Sequence, residues 1–273
     1  MSKCKVIALA NQKGGVGKTT TTVNLGAGLV RSGKKVLLID TDPQGDLTTS
    51  LGFKNQDEME TTIKSLLDKT INEIPFEKDE GILTNEENIK MIPANIELEA
   101  LETSLVSVIN REYVLSNYIN KIKEDYDYIL IDCKPSLGLL TINALAAADS
   151  VIIPVQAQYL PVKGMTQLVQ TINKIQAVIN PRLKIEGVLL TLADMQTRLA
   201  RATVETIRNN YGSRINVYKT IIPIGVKVAE CTTEGKSIYS YDKGSKPAIA
   251  YDDFVKEVLK NSERIKTRSN ECR

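Results

Sequence analysis

A short run of glycines, lysines and threonines near the amino terminus is the segment best suited to chemistry. Residues 12–20 read QKGGVGKTT, between an apolar stretch, Val6–Ala10, and an amphipathic pattern over Thr20–Arg31. A strand, a glycine-rich loop and a helix in this order are typical of a phosphate-binding loop. Glycines let the backbone curl until successive N–H groups point inward, and the helix adds its positive amino-terminal end. The sequence therefore predicts that this loop binds phosphate groups.

The loop departs from the common pattern G-x-x-x-x-G-K-[ST] at its start. Gln12 stands where that pattern has glycine, and Lys13 is the signature residue of the deviant form of the motif. We expect Lys18 to supply charge to the β- and γ-phosphates and Thr19 to ligate Mg²⁺. The alternative is a glycine-rich turn that binds nothing. The expected nucleotide contacts share this loop and are Lys13, Gly14, Gly15, Val16, Gly17, Lys18, Thr19 and Thr20.

Three aspartates follow two other apolar stretches. Asp40 and Asp42 come directly after Val36–Ile39, and Asp132 follows Tyr128–Ile131, in a Walker B pattern. On an extended chain, residues i and i+2 point the same way, so Asp40 and Asp42 can both face the phosphates. Ligands of parallel sheets lie beyond the carboxyl ends of the strands, where all three segments end. The alternative for each aspartate, taken singly, is a helix or turn cap.

Strand and helix patterns alternate along the chain, which predicts an α/β fold. A mostly parallel sheet with helices on both faces and right-handed crossovers follows from this alternation. We expect one P-loop ATPase domain over residues 1–260, a surface excursion at 71–88 and a polar, flexible tail at 261–273. The predicted strands are Val6–Ala10, Val36–Ile39, Tyr128–Ile131, Val151–Val155, Val188–Leu192 and Tyr218–Ile222. The predicted helices are Lys18–Arg31, Arg111–Lys123, Leu139–Ala147, Val162–Ile179 and Arg201–Asn210.

Composition excludes several classes of protein. The chain has 273 residues, 42% of them hydrophobic, which is enough for a core and excludes general disorder. It has no histidine, so a Ser-His-Asp triad and a histidine-ligated metal are excluded. The apolar run in MSKCKVIALA is shorter than we expect of a signal peptide, and no apolar run reaches the length that a membrane span requires. The scattered cysteines indicate a reducing, cytosolic setting, and they are Cys4, Cys133, Cys231 and Cys272.

Charge is unevenly distributed along the chain. The formal net charge is +2, but residues 182–273 carry 17 Lys+Arg against 11 Asp+Glu, a balance of +6. Residues 1–181 carry a balance of −4. A basic last third favours a surface that binds a polyanion, and an ordinary solvated surface is the alternative.

Together these motifs resemble the ParA/MinD group of deviant Walker ATPases and, within it, the ParA/Soj partition ATPases. The resemblance covers nearly the whole chain. It rests on KGGVGKTTTTVNLGAGL (13–29), VLLIDTDPQGD (36–46), MIPANIELEALE (91–102), YDYILIDCKPSLGLLTINAL (126–145), VIIPVQAQYLPVKGM (151–165), GVLLTL (187–192) and YKTIIPIGVKVAE (218–230).

The resemblance implies that ATP is held between two subunits of a homodimer. Lys13 of each subunit would reach the phosphates of the other, beside Lys18 of the subunit that binds them, and Asp42 would position the attacking water. Hydrolysis would be slow and stimulated by a partner. The nucleotide contacts would extend to Pro223. The magnesium ligands, direct or through water, would be Thr19, Asp40 and Asp132.

The resemblance further implies a nucleoid-associated protein in which the ATP dimer binds DNA without sequence preference. Lys227 occupies a basic position of the family, and Arg198 and Arg201 lie beside another, which is itself Gln196 here. Ile224-Gly225 replaces a further charged position. A solvated basic face is the alternative for these residues. We expect the stimulating partner to be a centromere-binding ParB-like protein or a small adaptor. The chain begins almost directly with the first strand, so we expect no operator binding by the protein itself.

Two other departures from the family pattern lie near the predicted site. Asp46 stands where relatives often have asparagine, and Lys134 replaces a proline close to Asp132. Asp46 adds negative charge, and Lys134 adds positive charge or faces solvent.

Two other functions remain open at this point. A MinD-like ATPase that cycles on a membrane needs an amphipathic carboxyl-terminal anchor. A reductase resembling the nitrogenase iron protein needs two cysteines per subunit near the dimer axis, and Cys133 lacks a second cysteine in a comparable loop. The apolar residues of the last segment, which we expect to pack against the core, are Phe254, Val255, Val258 and Leu259.

Overall fold

The computed structural model describes residues 4–157 and 162–271. Within them, eight strands form one sheet in the order β3-β4-β2-β5-β1-β6-β7-β8, and its pairings are parallel except for β3 with β4. The strands are β1 Lys5–Leu9, β2 Val36–Thr41, β3 Leu83–Thr84, β4 Lys90–Ile92, β5 Tyr128–Cys133, β6 Ser150–Gln156, β7 Lys184–Ala193 and β8 Val217–Pro223. The predicted fold class is confirmed.

Helices cover both faces of this sheet. Short 3-10 turns occupy Gln56–Glu58, Leu105–Ser107, Arg111–Tyr113 and Lys123–Asp125. The α-helices are α1 Lys18–Arg31, α2 Asp46–Ser50, α3 Ile63–Ile71, α4 Leu98–Ser104, α5 Val114–Ile122, α6 Leu139–Ala147, α7 Val162–Val178, α8 Arg198–Tyr211, α9 Val226–Thr233, α10 Ile238–Asp242 and α11 Lys246–Glu271.

The central strands are buried on both sides, which explains their continuous apolar runs. In β1, Val6 and Ala8 belong to a core that α3 to α8 cover. Ile7 and Leu9, which alternate with them, belong to a second core that α1, α10 and α11 cover. Both faces of a strand need apolar side chains when helices lie on each side of the sheet.

The region before β5 differs from prediction in two respects. The excursion expected at 71–88 contains β3, which pairs Leu83 with Met91 in antiparallel register at the sheet edge. Strands of two or three residues are too short for a hydrophobic period to reveal them. The helix predicted over Arg111–Lys123 is α5 with a 3-10 turn at each end.

The end of the chain continues a helix, where the sequence analysis predicts a separate tail from residue 261. The first turn of this segment also contacts the sheet. Ser262 is buried, its hydroxyl donates to the carbonyl of Val258 at 2.9 Å, and it accepts from Lys5 Nζ at 3.1 Å. Residues 272–273 of the expected tail, and 158–161 of the segment quoted above, lie outside the described residues.

The carboxyl end of α6 depends on one side chain from the loop after α7. The Asn180 amide is buried, and its Nδ2 contacts the carbonyl oxygens of Leu145, Ala146 and Ala148 at 3.0, 3.1 and 2.8 Å. The last carbonyls of a helix have no partners within the helix. Asn180 therefore fixes the helix that follows β5.

We predict that Asn180→Ala lowers the free energy of unfolding by about 1–3 kcal/mol, because buried carbonyl groups lose their donor. Urea unfolding measures the difference. The matched control is Asn72→Ala, since Asn72 Nδ2 makes one exposed bond to the carbonyl of Asp68. That change should cost less than about 0.5 kcal/mol. Equal losses in the two variants would contradict the role of Asn180.

Candidate functional site

The loop between β1 and α1 is held open by its own backbone and by a contact from β7. Gly15 and Gly17 adopt φ of 69° and 82°, in the left-handed region that favours glycine. Gly17 directly precedes α1. The Thr191 hydroxyl donates to the Val16 carbonyl at 2.7 Å, which fastens the loop to the sheet. The backbone N–H groups at the start of α1 thus face a fixed space.

That space is a cleft of about 450 Å³ at the carboxyl ends of β1, β5 and β2. It brings together most of the predicted loop residues and one predicted aspartate, which are Gly14, Gly15, Gly17, Lys18, Thr19, Thr20 and Asp42. Residues that sequence reasoning did not assign to nucleotide complete the lining, and they are Pro43, Gln44, Asp46, Glu99, Lys134 and Pro135.

Asp132 lies directly behind the threonine of the loop. The Thr19 hydroxyl donates to Asp132 Oδ2 at 2.7 Å. The Thr22 hydroxyl lies 3.1 Å from two acceptors, Asp132 Oδ1 and the Lys18 carbonyl oxygen, and shares its proton between them. Asp132 is fully buried, and this burial raises its pKa, while the Thr19 bond and the Lys18 charge act in the opposite direction. Hydroxyl and carboxylate oxygens are the ligands that Mg²⁺ prefers, so the residues present fit this ion.

Asp40 lies behind the wall of the cleft and is not among its lining residues. Its Oδ2 accepts from the Thr48 amide at 3.0 Å and from the Thr48 hydroxyl at 2.8 Å. Its Oδ1 accepts from the Asp42 amide at 3.1 Å. Asp40 pairs in register with Asp132 on the neighbouring strand, and burial together with the Asp132 charge raises the Asp40 pKa. These contacts fix the backbone that presents Asp42 to the cleft.

Three predicted nucleotide contacts lie outside this cleft. Lys13 is exposed, and its Nζ donates to Gln156 Oε1 at 3.4 Å. The Val16 side chain is buried. Pro223 lines a separate cleft of about 350 Å³ between β8 and α11. Lys13 therefore contacts the end of β6 and is not among the residues that line the cleft.

The predicted DNA-binding residues lie beyond the carboxyl ends of two paired strands. Arg198 and Arg201 are exposed at the start of α8, which follows β7. Lys227 is exposed in α9, which follows β8, and it forms an ion pair with Asp242 at the end of α10. Arg201 Nη2 donates to the Gln196 carbonyl at 3.1 Å. The basic residues thus share one end of the sheet with the cleft.

Sequence reasoning missed the hydroxyls that hold the buried aspartates. A signal existed for Thr22, since it lies three residues after Thr19 and so on the same face of α1. For Thr48 no such signal exists, because its contact with Asp40 depends on how the chain turns between β2 and α2. The ion pair between Lys227 and Asp242 likewise joins two different helices.

Comparison with known proteins assigns the family. Residues 4–185 match a family model described as an AAA domain. The sporulation initiation inhibitor protein Soj of Bacillus subtilis is 47% identical over 257 residues, which are 94% of this chain and 99% of that protein. The chain belongs to the ParA/Soj family of P-loop ATPases. The resemblance noted in the sequence is thereby confirmed.

One further relative and one solved structure are also similar to this chain. The chromosome partitioning protein ParA of Myxococcus xanthus is 41% identical, over 94% of this chain and 88% of that protein. A solved structure described as cobyrinic acid a,c-diamide synthase from Mycobacterium smegmatis, with bound ADP and magnesium, is 36% identical. It superposes with a TM-score of 0.83 over 96% of each chain. The predicted ATPase fold therefore matches a nucleotide-bound relative.

The bond from Thr22 to Asp132 yields a test of the site by pH. An ionised Asp132 favours Mg²⁺, so magnesium-dependent binding of an ATP analogue should be lost as the pH falls through the Asp132 pKa. Thr22→Val removes a hydroxyl that lowers this pKa. We therefore predict that the midpoint of the loss moves to higher pH by up to about one unit, since a hydrogen bond to a charged group is worth about 1.5 kcal/mol.

Fluorescence titration with an ATP analogue and Mg²⁺ across the pH range measures this midpoint. Thr21→Val is the matched control, because Thr21 is buried on the same helix but its hydroxyl contacts Tyr251 Oη at 3.3 Å. An identical midpoint in the Thr22→Val variant and the wild-type chain would show that this hydroxyl does not act on the metal site.

Proposed function

We propose that the chain is a partition ATPase that binds ATP with Mg²⁺ and forms a homodimer around the nucleotide. In this state it binds DNA without sequence preference, and a centromere-binding ParB-like protein or small adaptor stimulates its slow hydrolysis. The observation that carries the proposal is the arrangement of the two loop lysines. Lys18 lines the cleft of its own chain, whereas Lys13 lies outside it on Gln156.

The separation of Lys13 from its own cleft supports a role in the site of a second copy. A cation that does not line its own cleft would be available to the phosphates of a partner once ATP bridges the two. The interaction would add positive charge where negative charge develops during transfer of the terminal phosphate. Nucleotide binding and dimerisation would then be linked, because each strengthens the other.

The remaining roles follow from the contacts around the cleft. The amides of Gly14, Gly15 and Gly17 surround the phosphates, and Lys18 neutralises part of their charge. Thr19, fixed by Asp132, would hold Mg²⁺, which when bound neutralises phosphate charge. Asp40 would help to position the metal and the attacking water indirectly, because its side chain fixes the backbone at Asp42.

Asp42 lines the cleft and is the group that would position the attacking water. A carboxylate is a weak base at neutral pH, and the chain has no histidine to replace it. A site whose base is a carboxylate is consistent with slow hydrolysis that accelerates only when a partner orders the site.

The membrane alternative is less well supported by the last helix. Phe254, Val255 and Val258 are buried in the second core, so these side chains of α11 are not available to a bilayer. Among the described residues, no helix is both long and apolar enough to cross a membrane. Sedimentation with liposomes in the presence of ATP tests the alternative, and pelleting with lipid without DNA binding would favour it.

The experiment that tests the function is ATP hydrolysis by the purified chain alone, with DNA, and with DNA plus a centromere-binding protein of the same replicon. The proposal predicts a low rate alone and a clear increase when both additions are present. Hydrolysis that neither addition changes would contradict the partition function, although it would leave the ATPase assignment intact.

We predict that Lys13→Ala abolishes ATP-dependent dimers and hydrolysis but preserves most of the affinity for nucleotide, because Lys13 lies outside its own cleft. Light scattering with an ATP analogue measures the dimer, and equilibrium dialysis measures binding. The control is Lys34→Ala, an exposed lysine in the turn after α1. Dimerisation of the Lys13→Ala variant at the wild-type level would refute a contact with the second copy.

We predict that Asp242→Asn strengthens DNA binding severalfold, because it releases Lys227 from its ion pair. A freed cation adds about one unit to the dependence of log affinity on log salt. Gel shifts at several salt concentrations, with ATP present, give both quantities. The control Asp68→Asn removes the same charge from a partly exposed pair with Lys64 on α3.

The gain should disappear in Asp242→Asn combined with Lys227→Gln, since no cation is then released. A gain that persists in this double variant would mean that loss of negative charge, and not Lys227, strengthens binding. No gain in the single variant would place the DNA surface elsewhere.

A further inference from the structure

Besides Lys18 of the phosphate loop, a lysine from another part of the chain lines the nucleotide cleft. Lys134 is the first residue after β5, and its side chain is 18% exposed. Its Nζ lies 2.6 Å from Glu102 Oε2 on α4. Pro135, the next residue, lines the same cleft. Lys134 is therefore a largely buried cation at the wall of a site for an anion.

Glu102 is held in place independently of Lys134. Its Oε1 accepts from the amide of Leu140 in the first turn of α6 at 3.3 Å. Gly138 permits this approach, because a Cβ at that position would overlap Glu102 Oε1. The amino-terminal end of a helix stabilises a carboxylate. Glu102 thus has a favourable place even if Lys134 turns toward another anion.

The position of Lys134 in the sheet indicates which part of the nucleotide it can reach. Strand β5 lies between β1, which leads to the phosphate loop, and β2, which leads to Asp42. A terminal phosphate that Lys18 binds and a water that Asp42 positions must meet between these two strand ends. Lys134 directly follows the strand between them and lines the same cleft as Lys18 and Asp42.

The lining of the cleft carries few cations to bind an anion. The lining carries two cations, Lys18 and Lys134, against three carboxylates, Asp42, Asp46 and Glu99. Phosphates bound there add further negative charge, so both cations are needed to offset it. An ammonium group has three donors. Glu102 takes one of them, which leaves donors for an oxygen of the nucleotide.

We propose that Lys134 is a specificity-determining residue for ATP. Its ammonium group binds the terminal phosphate, either in place of Glu102 or together with it, and so favours the triphosphate over the diphosphate. This inference rests on the proposed function, because it requires a nucleotide in the cleft. Glu102 holds the lysine ready in the absence of nucleotide and competes with the phosphate for it.

The test compares the affinities of Lys134→Gln and Glu102→Gln for a non-hydrolysable ATP analogue and for ADP. Lys134→Gln should lower the affinity for the analogue about tenfold or more, as expected for loss of a hydrogen bond to a charged group. It should change the affinity for ADP by less than about twofold. Glu102→Gln should bind the analogue at least as tightly as the wild-type chain, because the competing carboxylate is gone. Lys134→Arg, which keeps the charge, should retain the preference for ATP.

The two variants of the pair distinguish phosphate recognition from a structural ion pair. A structural pair would be broken equally by either change, so both variants would weaken the analogue and ADP alike, and that result would overturn the proposal. The control Lys64→Gln breaks a partly exposed pair with Asp68, distant in sequence from the cleft residues, and should change neither affinity. Thermal unfolding checks the fold of each variant. If Lys134→Gln does not fold, a weakened analogue in Glu102→Gln or loss of the preference in Lys134→Arg would still refute the proposal.

Failure of the proposed function has a different signature. A wild-type chain that binds neither nucleotide would remove the function itself. A wild-type chain that binds both, with the ratio of affinities unchanged in Lys134→Gln, would remove only the role of Lys134.

Discussion

The bond between the Thr19 hydroxyl and the Asp132 carboxylate is the contact on which the rest of the site depends. A fully buried carboxylate is costly unless hydrogen bonds satisfy it, and here α1 supplies two hydroxyls. These bonds hold the start of α1 at the end of β5, so the loop that precedes α1 must arch over the strand ends. The arch places its amides around the cleft. The hydroxyls that satisfy one buried acidic side chain therefore also help to position the phosphate loop.

The same helix connects the cleft with the basic end of the sheet. Asn24 lies in the middle of α1, and its Oδ1 accepts a hydrogen bond of 2.8 Å from the amide of Ile238, the first residue of α10. The last residue of α10 is Asp242, which pairs with Lys227. One path of hydrogen bonds and helix therefore joins the phosphate loop to a residue of the proposed DNA surface. The proposed dependence of DNA binding on ATP requires that the two sites are energetically coupled.

The sequence predicts features that depend on local pattern and leaves out those that depend on distant partners. The phosphate loop, the long strands and the first helix follow from residue types at fixed spacing, and the structure has them. Strand β3 was missed because two residues carry no period. The contacts of Thr48 with Asp40 and of Glu102 with Lys134 bring together segments that only the folded sheet makes neighbours. The placement of Pro223 in a separate cleft is likewise a property of the fold.

The central claim is that ATP is shared between two copies, each of which lends Lys13 to the other. The most direct test is a crystal structure of the chain with Mg²⁺ and a non-hydrolysable ATP analogue. The account predicts two protomers that face each other across the nucleotides, with each Lys13 moved from Gln156 to the phosphates bound by its partner. A nucleotide-bound single protomer in which Lys13 still contacts Gln156 or points into solvent would contradict it.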